Sequence, residues 1–162
     1  MPERIGMRIA ADLHIHSTLS PCGSLENTPR AIVDRALELQ LDMIAITDHN
    51  SVENALLAHD YGEARGLSVI CGMEAQTSED VHLLCLMPSP TEAESFYSRV
   101  YPFLPAVENN PEYFGDQVVV DCDDTIVRVE PKLLLNSLIL TTSALVGLRS
   151  EEHTSELQSP NT

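Results

Sequence analysis

Apolar residues reach the first hundred positions in short blocks, and their spacing switches between continuous or alternating runs and steps of three and four. That switching predicts strands alternating with helices, an α/β arrangement, rather than a bundle or a sandwich. Residues 7–12 read as a first strand that delivers Asp12-Leu13-His14-Ile15-His16, followed by a loop with Pro21, Cys22 and Gly23. A helix follows, with Thr28 as N-cap, Pro29 at the first helical position and a stripe of Ile32, Val33, Ala36 and Leu37. Residues 41–47 form the second strand, ending in Asp48-His49, and a second helix runs from Val52 to Arg65, with Ser51 as cap and Gly66 closing it. Residues 69–74 are the third strand and 80–87 the fourth, whose near-continuous apolar run predicts burial on both faces, as in a parallel sheet. A third helix starts near Glu92, with Thr91 and Glu94 at the spacing of a capping box, and weakens at Pro102. Asn109-Asn110-Pro111 and Gly115 mark a loop. Residues 117–121 and 125–129 then pair as a hairpin turned by Asp123-Asp124, an excursion covering about 116–129.

The last segment differs in kind. Residues 149–159 show no usable periodicity and resemble the conceptual translation of a sequencing-library adaptor. The expected organisation is one domain over residues 1–148, followed by a non-native tail over 149–162, which removes His153 from the candidate ligands.

Composition narrows the classes. At 43% hydrophobic the chain can build a core, but no run reaches the ~18 uncharged apolar residues of a membrane span. The start lacks the basic and apolar regions of a secretory signal, so the expected location is the cytoplasm, with no membrane partner. Nine Lys and Arg against 25 Asp and Glu give a net charge of -16, which disfavours long nucleic acid as a partner. Most of those acids are solvated surface. The four cysteines form no CxxC pair, and Cys71 and Cys85 read as buried thiols. No phosphate-binding or dinucleotide-binding glycine pattern implies ATP or NAD. No GxSxG is present either, and Ser17 and Ser20 lack the partners of a serine nucleophile.

Ionisable groups cluster where the first three strands end, the active face of an α/β barrel. Asp12, His14 and His16 alternate and so point to one side of an extended strand. Alone, such a pair of histidines more often decorates a loop, and His82 within an apolar strand is more often a satisfied core residue. Asp48-His49 and Glu74 at neighbouring strand ends change that balance, because carboxylates on the edge of apolar strands are costly unless paired or metal-bound. The combined nitrogen and oxygen donors suit zinc, manganese or iron.

Three segments, Asp12-Leu13-His14-Ile15-His16, Ala45-Ile46-Thr47-Asp48-His49, and Gly72-Met73-Glu74 with Val81-His82-Leu83-Leu84, resemble the first three motifs of the polymerase-and-histidinol-phosphatase (PHP) family. The resemblance is close from residue 7 to about residue 86 and looser over 97–147, where Asn110–Gly115 is similar to an insertion found in one subgroup. It implies a distorted seven-stranded (β/α) TIM-like barrel, of which this chain would form the first half. It also implies two or three divalent metal ions at the C-terminal ends of the strands. On this resemblance His14 and His16 bind the first metal, Glu74 bridges to a second, His82 binds that second metal and His49 a third. Asp12 and Asp48 would hold ligating imidazoles by hydrogen bonds. Pro21 and Cys22 stand where many relatives place an Asp or His, so Cys22 either ligates the third metal as a thiolate or leaves that site weak. The later ligands of the family, a further His and an Asp-x-His pair, find no counterpart after His82, so the chain as it stands is expected to be an inactive fragment. The implied activity is hydrolysis of a phosphoester, a small phosphomonoester in the first instance, by a metal-bound water. A nucleotide phosphatase or exonuclease-like activity and a non-catalytic, metal-stabilised module are the alternatives.

Overall fold

The computed structural model describes residues 8–157, with side chains as far as residue 150. The main sheet has four strands in the order β1 (Ala11–Ile15), β2 (Met43–His49), β3 (Ser68–Gln76) and β4 (His82–Leu86). β1, β2 and β3 are parallel and are connected through α1 (Pro29–Glu38) and α2 (Glu53–Glu63), the α/β alternation that the apolar spacing predicts. β1 lies later than the first strand expected from the sequence. It includes His14 itself, and Met7 falls outside the described residues.

β4 corrects the expectation of a fourth parallel strand. Only residues 77–81 link it to β3, far short of the dozen or more that a parallel crossover requires. The chain therefore turns back. Thr77 donates its N–H to the Val81 carbonyl, Asp80 adopts a left-handed φ of 62°, and β4 pairs antiparallel to β3. Burial on both faces fails as well: Leu84 is 43% exposed, because β4 is an outer strand with β3 on one side alone among the described residues. At the far end of this hairpin a Cβ on Gly72 would stand 2.9 Å from both the Cys85 carbonyl oxygen and Leu86 Cδ2. Gly72→Ala is therefore expected to cost roughly 1–3 kcal/mol by overpacking, and an unchanged urea midpoint would contradict that contact.

The helices cover the sheet through small or apolar faces. Thr28 caps α1 by accepting the Ala31 N–H, and Ile32, Val33 and Ala36 are buried. α2 buries Asn54, Ala55, Ala58 and Gly62, a face small enough for close packing on β3. Its cap is Val52; Ser51, the expected cap, accepts the Glu53 N–H from one position earlier. α3 (Pro90–Val100) starts two residues before Glu92. Ser89 accepts the Glu92 N–H and donates its hydroxyl to the Glu92 carboxylate, so Ser89 and Glu92 supply the cap expected of Thr91 and Glu94. Pro90 explains the shift, since its fixed φ suits the first helical position. The helix gives way at Pro102 to a 3₁₀ turn, Tyr101–Phe103, and a short α4 (Pro111–Phe114) occupies part of the expected loop.

β5 (Val118–Val120) and β6 (Ile126–Val129) form the expected hairpin as a separate two-stranded sheet. It is tied to the loop after β1, with the Val118 N–H donating to the Thr18 carbonyl. α5 (Thr142–Leu157) runs through most of the segment read as aperiodic, and Arg149 donates to the Leu86 carbonyl. The His153 side chain and residues 158–162 lie outside what is described. The core gathers Val33, Ile44, Ile46, Met73, Phe96 and Leu134 between sheet and helices. No helix among the described residues is long and apolar enough to cross a membrane.

Candidate metal centre

Strand register brings the ionisable residues together. In the parallel β2–β3 pair His49 stands directly opposite Glu74. In the antiparallel β3–β4 pair His82 stands opposite Gln76, two residues beyond Glu74 and therefore on the same face of β3. β1 contributes through an irregularity: Asp12 pairs with Ile44 and Ile15 with Ile46, so β1 carries one extra residue. A bulge of this kind bends a strand and re-aims its side chains. His14 in this strand and His16 just beyond its end bring their Nε2 atoms to 3.1 Å of each other.

Glu74 is the hub. Its Oε2 lies 3.2 Å from His14 Nε2, 3.0 Å from His16 Nε2 and 3.6 Å from His49 Nδ1. Its Oε1 lies 2.8 Å from His82 Nδ1. The side chains of Glu74 and His49 are buried, while those of His14 and His82 are nearly half exposed, so the cluster opens to solvent on two sides. Burial would raise the Glu74 carboxyl, but hydrogen bonds from His82 and His14 and the nearby imidazoles hold it below its ordinary value. His49 is pushed down to about 4, first by burial and then by repulsion from His16, against the attraction of Glu74. It is a neutral imidazole at pH 7, and its buried Nδ1 has no hydrogen-bond partner among the described residues.

These donors fit a cation. Three sets bring their donor atoms within 4.8 Å of one another: His14, His16 and Glu74; His49, Glu74 and His82; and His16, Cys22 and His49. In the first set the three donor atoms stand 3.0 to 3.2 Å apart, close enough that His14, His16 and Glu74 could share one divalent ion. The buried, unpartnered His49 nitrogen is consistent with a ligand position left unfilled by the protein's own groups. All five residues expected as ligands, His14, His16, His49, Glu74 and His82, are thus assembled, with Cys22 Sγ 3.6 Å from His16 Nδ1. The Cys22 thiol is raised, chiefly by desolvation against its own backbone hydrogen bond, and further by Asp48 and Glu74.

The two aspartates behave differently from expectation. Asp12 accepts the backbone N–H of His14 and bonds to no imidazole among the described residues. Asp48 is fully buried and reaches His16 only through a serine: it accepts the N–H and hydroxyl of Ser17 and the hydroxyl of Ser20, whose Oγ lies 3.0 Å from His16 Nδ1. Burial raises the Asp48 carboxyl, against those hydrogen bonds. Sequence reasoning weighed Ser17 and Ser20 only as nucleophiles and missed this supporting role. It missed Asn54 too, whose amide donates to Ser17, Thr18 and the Val118 carbonyl and so binds the site loop to the hairpin. The one available signal was the spacing of the two serines, one and four residues after His16.

The PolC-type DNA polymerase III of Oceanobacillus iheyensis is 36% identical over 69 residues, 43% of this chain and 5% of the polymerase. The phosphoribosyl 1,2-cyclic phosphate 1,2-diphosphodiesterase of Eggerthella lenta is 31% identical over 80 residues, 46% of this chain and 29% of that enzyme. A solved structure from Bifidobacterium adolescentis, provisionally assigned as a metal-dependent phosphoesterase, superposes with a TM-score of 0.46 at 30% identity, covering 59% of this chain and 34% of the other. The chain thus spans about a third or less of each of these relatives. The model of the PHP domain matches residues 12–140, which include every residue of the cluster around Glu74. The chain belongs to the PHP domain family.

Proposed function

We propose that this chain supplies the metal-binding strands of a metal-dependent phosphoesterase, within a (β/α)7 barrel, acting in the first instance on small phosphomonoesters. The observation that carries the reading is a single carboxylate, Glu74, meeting four imidazoles with both of its oxygens. His14, His16 and Glu74 would hold one divalent ion, Glu74 and His82 a second, and His49 with Cys22 a third; zinc or manganese suits the donors, and iron is compatible with them. When bound, such ions polarise phosphoryl oxygens and lower the pKa of water. The chain's own contribution is placement: the β1 bulge aims His14 and His16, the β2–β3 register sets His49 against Glu74, and the β3–β4 hairpin delivers His82. Solvent access at His14 and His82 leaves room for a small substrate.

The similarity to a PolC-type polymerase favours a second reading, hydrolysis of nucleotides or nucleic-acid ends, while the net charge of -16 opposes long nucleic acid. The test is a panel of phosphomonoesters, phosphodiesters and oligonucleotides, assayed after chelation with zinc, manganese or iron(II) added back. It is run on the 162-residue chain and on its parental reading frame. Metal-dependent turnover of phosphomonoesters supports the proposal. Turnover confined to oligonucleotide ends supports the second reading, and metal-tightened folding without turnover of any phosphoester identifies a non-catalytic module. Cys22 has its own test: Cys22→Ser is expected to weaken one zinc and leave two in place, and unchanged zinc stoichiometry and affinity would remove Cys22 from the site.

A further inference from the structure

Of the four histidines around Glu74, His16 alone lies outside a strand: β1 ends at Ile15, whereas His14, His49 and His82 all belong to the sheet. Its place therefore depends on residues 17 and 18, and these are gripped by α2 and the β5–β6 hairpin. The Val118 N–H donates to the Thr18 carbonyl at 3.0 Å, and the Thr18 hydroxyl donates to the Val118 carbonyl at 3.1 Å. Asn54, in the first turn of α2, joins both sides. Its Nδ2 lies 3.0 Å from Ser17 Oγ, 3.0 Å from Thr18 Oγ1 and 3.1 Å from the Val118 carbonyl oxygen, while its Oδ1 faces the Val120 N–H at 3.4 Å. A backbone carbonyl only accepts and a backbone N–H only donates, so Val118 and Val120 fix the orientation of this amide whatever the hydroxyls do. Asn54, Ser17, Thr18, Val118 and Val120 are all buried. The other residues that α2 buries are Ala55, Ala58 and Gly62, and an amide in their midst is costly unless its bonds are made. The lead-in to the hairpin reaches the same loop, where a Cβ on Gly115 would stand 2.9 Å from the Pro21 carbonyl oxygen.

We propose that Asn54 is a positioning residue of the metal centre: through Ser17 and Thr18 it clamps the loop after β1 to the β5–β6 hairpin and so sets where His16 stands against His14 and Glu74. The inference rests on reading His16 as a ligand. It adds that part of the affinity for the ion is built by a hairpin that belongs to none of the three donor sets. Loop and sheet stay joined without Asn54, because Asp48 in β2 still accepts the Ser17 N–H. Removing the amide is therefore expected to let His16 drift rather than to unfold the loop.

The test separates position from stability in the 162-residue chain. Asn54→Ala is compared with Val100→Ala, a cavity in the fully buried part of α3 that touches no residue of the clamp. Asn54→Ala should weaken zinc binding about tenfold, the lower end of the range for losing a ligand's outer support. It should also change the visible spectrum of bound cobalt(II), which reports ligand geometry. Val100→Ala should lower the urea midpoint and leave zinc affinity and the cobalt spectrum unchanged. Thr18→Val, which deletes the hydroxyl and keeps the shape, should weaken zinc binding too, and Thr18→Ser should bind as the wild type does. Unchanged zinc affinity and cobalt spectrum in Asn54→Ala, or changes no larger than those of Val100→Ala, overturn the proposal. If Asn54→Ala does not fold, the Thr18 pair decides, and equal zinc affinity in Thr18→Val and Thr18→Ser overturns it. A wild-type chain that binds neither zinc nor cobalt(II) sinks the metal centre and the clamp's role in it together, a failure distinct from one confined to the Asn54 and Thr18 variants.

Discussion

Glu74→Gln is expected to lower the bound metal and to cut any phosphoesterase turnover by at least ~100-fold, the scale of losing a major electrostatic contact in the transition state. The substitution preserves shape, so it isolates charge and ligand number. Both carboxylate oxygens are in use, Oε2 towards His14, His16 and His49 and Oε1 towards His82. An amide has a single oxygen, so it can stand in for Oε1 or for Oε2 but not for both. With its nitrogen turned to His14 and His16, the first set loses its oxygen donor; turned to His82, the second set does. Either way four imidazoles lose the one negative charge at their centre, and positive ions are held less well. Elemental analysis after dialysis should show fewer ions per chain, and the phosphoester panel should show the fall in rate. Full metal content together with near-normal turnover would refute the bridging role.

Asp48→Ala should be the most damaging substitution for stability, costing about 3 kcal/mol or more, since each buried donor left without an acceptor costs about 1–3 kcal/mol. Three donors converge on this carboxylate, and the Ser17 N–H is fixed in the backbone and cannot turn elsewhere. A loss of that size moves a urea midpoint down by about 1 M or more at the usual dependence on denaturant. Asp48→Asn is expected to be much milder. Its amide oxygen can take the place of Oδ1, where the Ser17 N–H and the Ser20 hydroxyl both donate, so that only the Ser17 hydroxyl loses its acceptor. Equal losses for Ala and Asn would mean that these hydrogen bonds are not what holds the loop.

Much of this was legible in the sequence because strand-end chemistry is local. A His-x-His pair, an Asp-His pair and a Glu closing apolar runs pointed to a cation site before any geometry was available, and the structure assembles the histidines of both pairs around Glu74. The direction of β4 was legible too, but in the length of the 77–81 connection rather than in the apolar run that was taken to mean two-sided burial. Ser20 was out of reach. Its meaning depends on Asp48, which lies 28 residues away and contacts it only once β1 and β2 pair. The β1 bulge was hidden for the same reason, being a mismatch between two strands that neither strand shows alone. The helical run beyond Arg149 was missed because weak amphipathicity leaves little pattern to read.

The turn between β3 and β4 carries a constraint that its own side chains do not reveal. Residues 77–81 contribute no ligand, yet they set which face of the hairpin His82 occupies. A strand slipped by one residue sends every side chain to the opposite face. The turn has little slack to absorb a change in length, because Ser78 donates its N–H to the Leu140 carbonyl and Glu79 accepts the Thr142 N–H. Substitutions at 78 or 79 should therefore be tolerated far better than a single-codon insertion or deletion. In a library that samples both kinds of change, indels within 77–81 should vanish under selection for metal-dependent function as completely as the loss of His82 itself, giving a surface turn the mutational profile of an active-site residue.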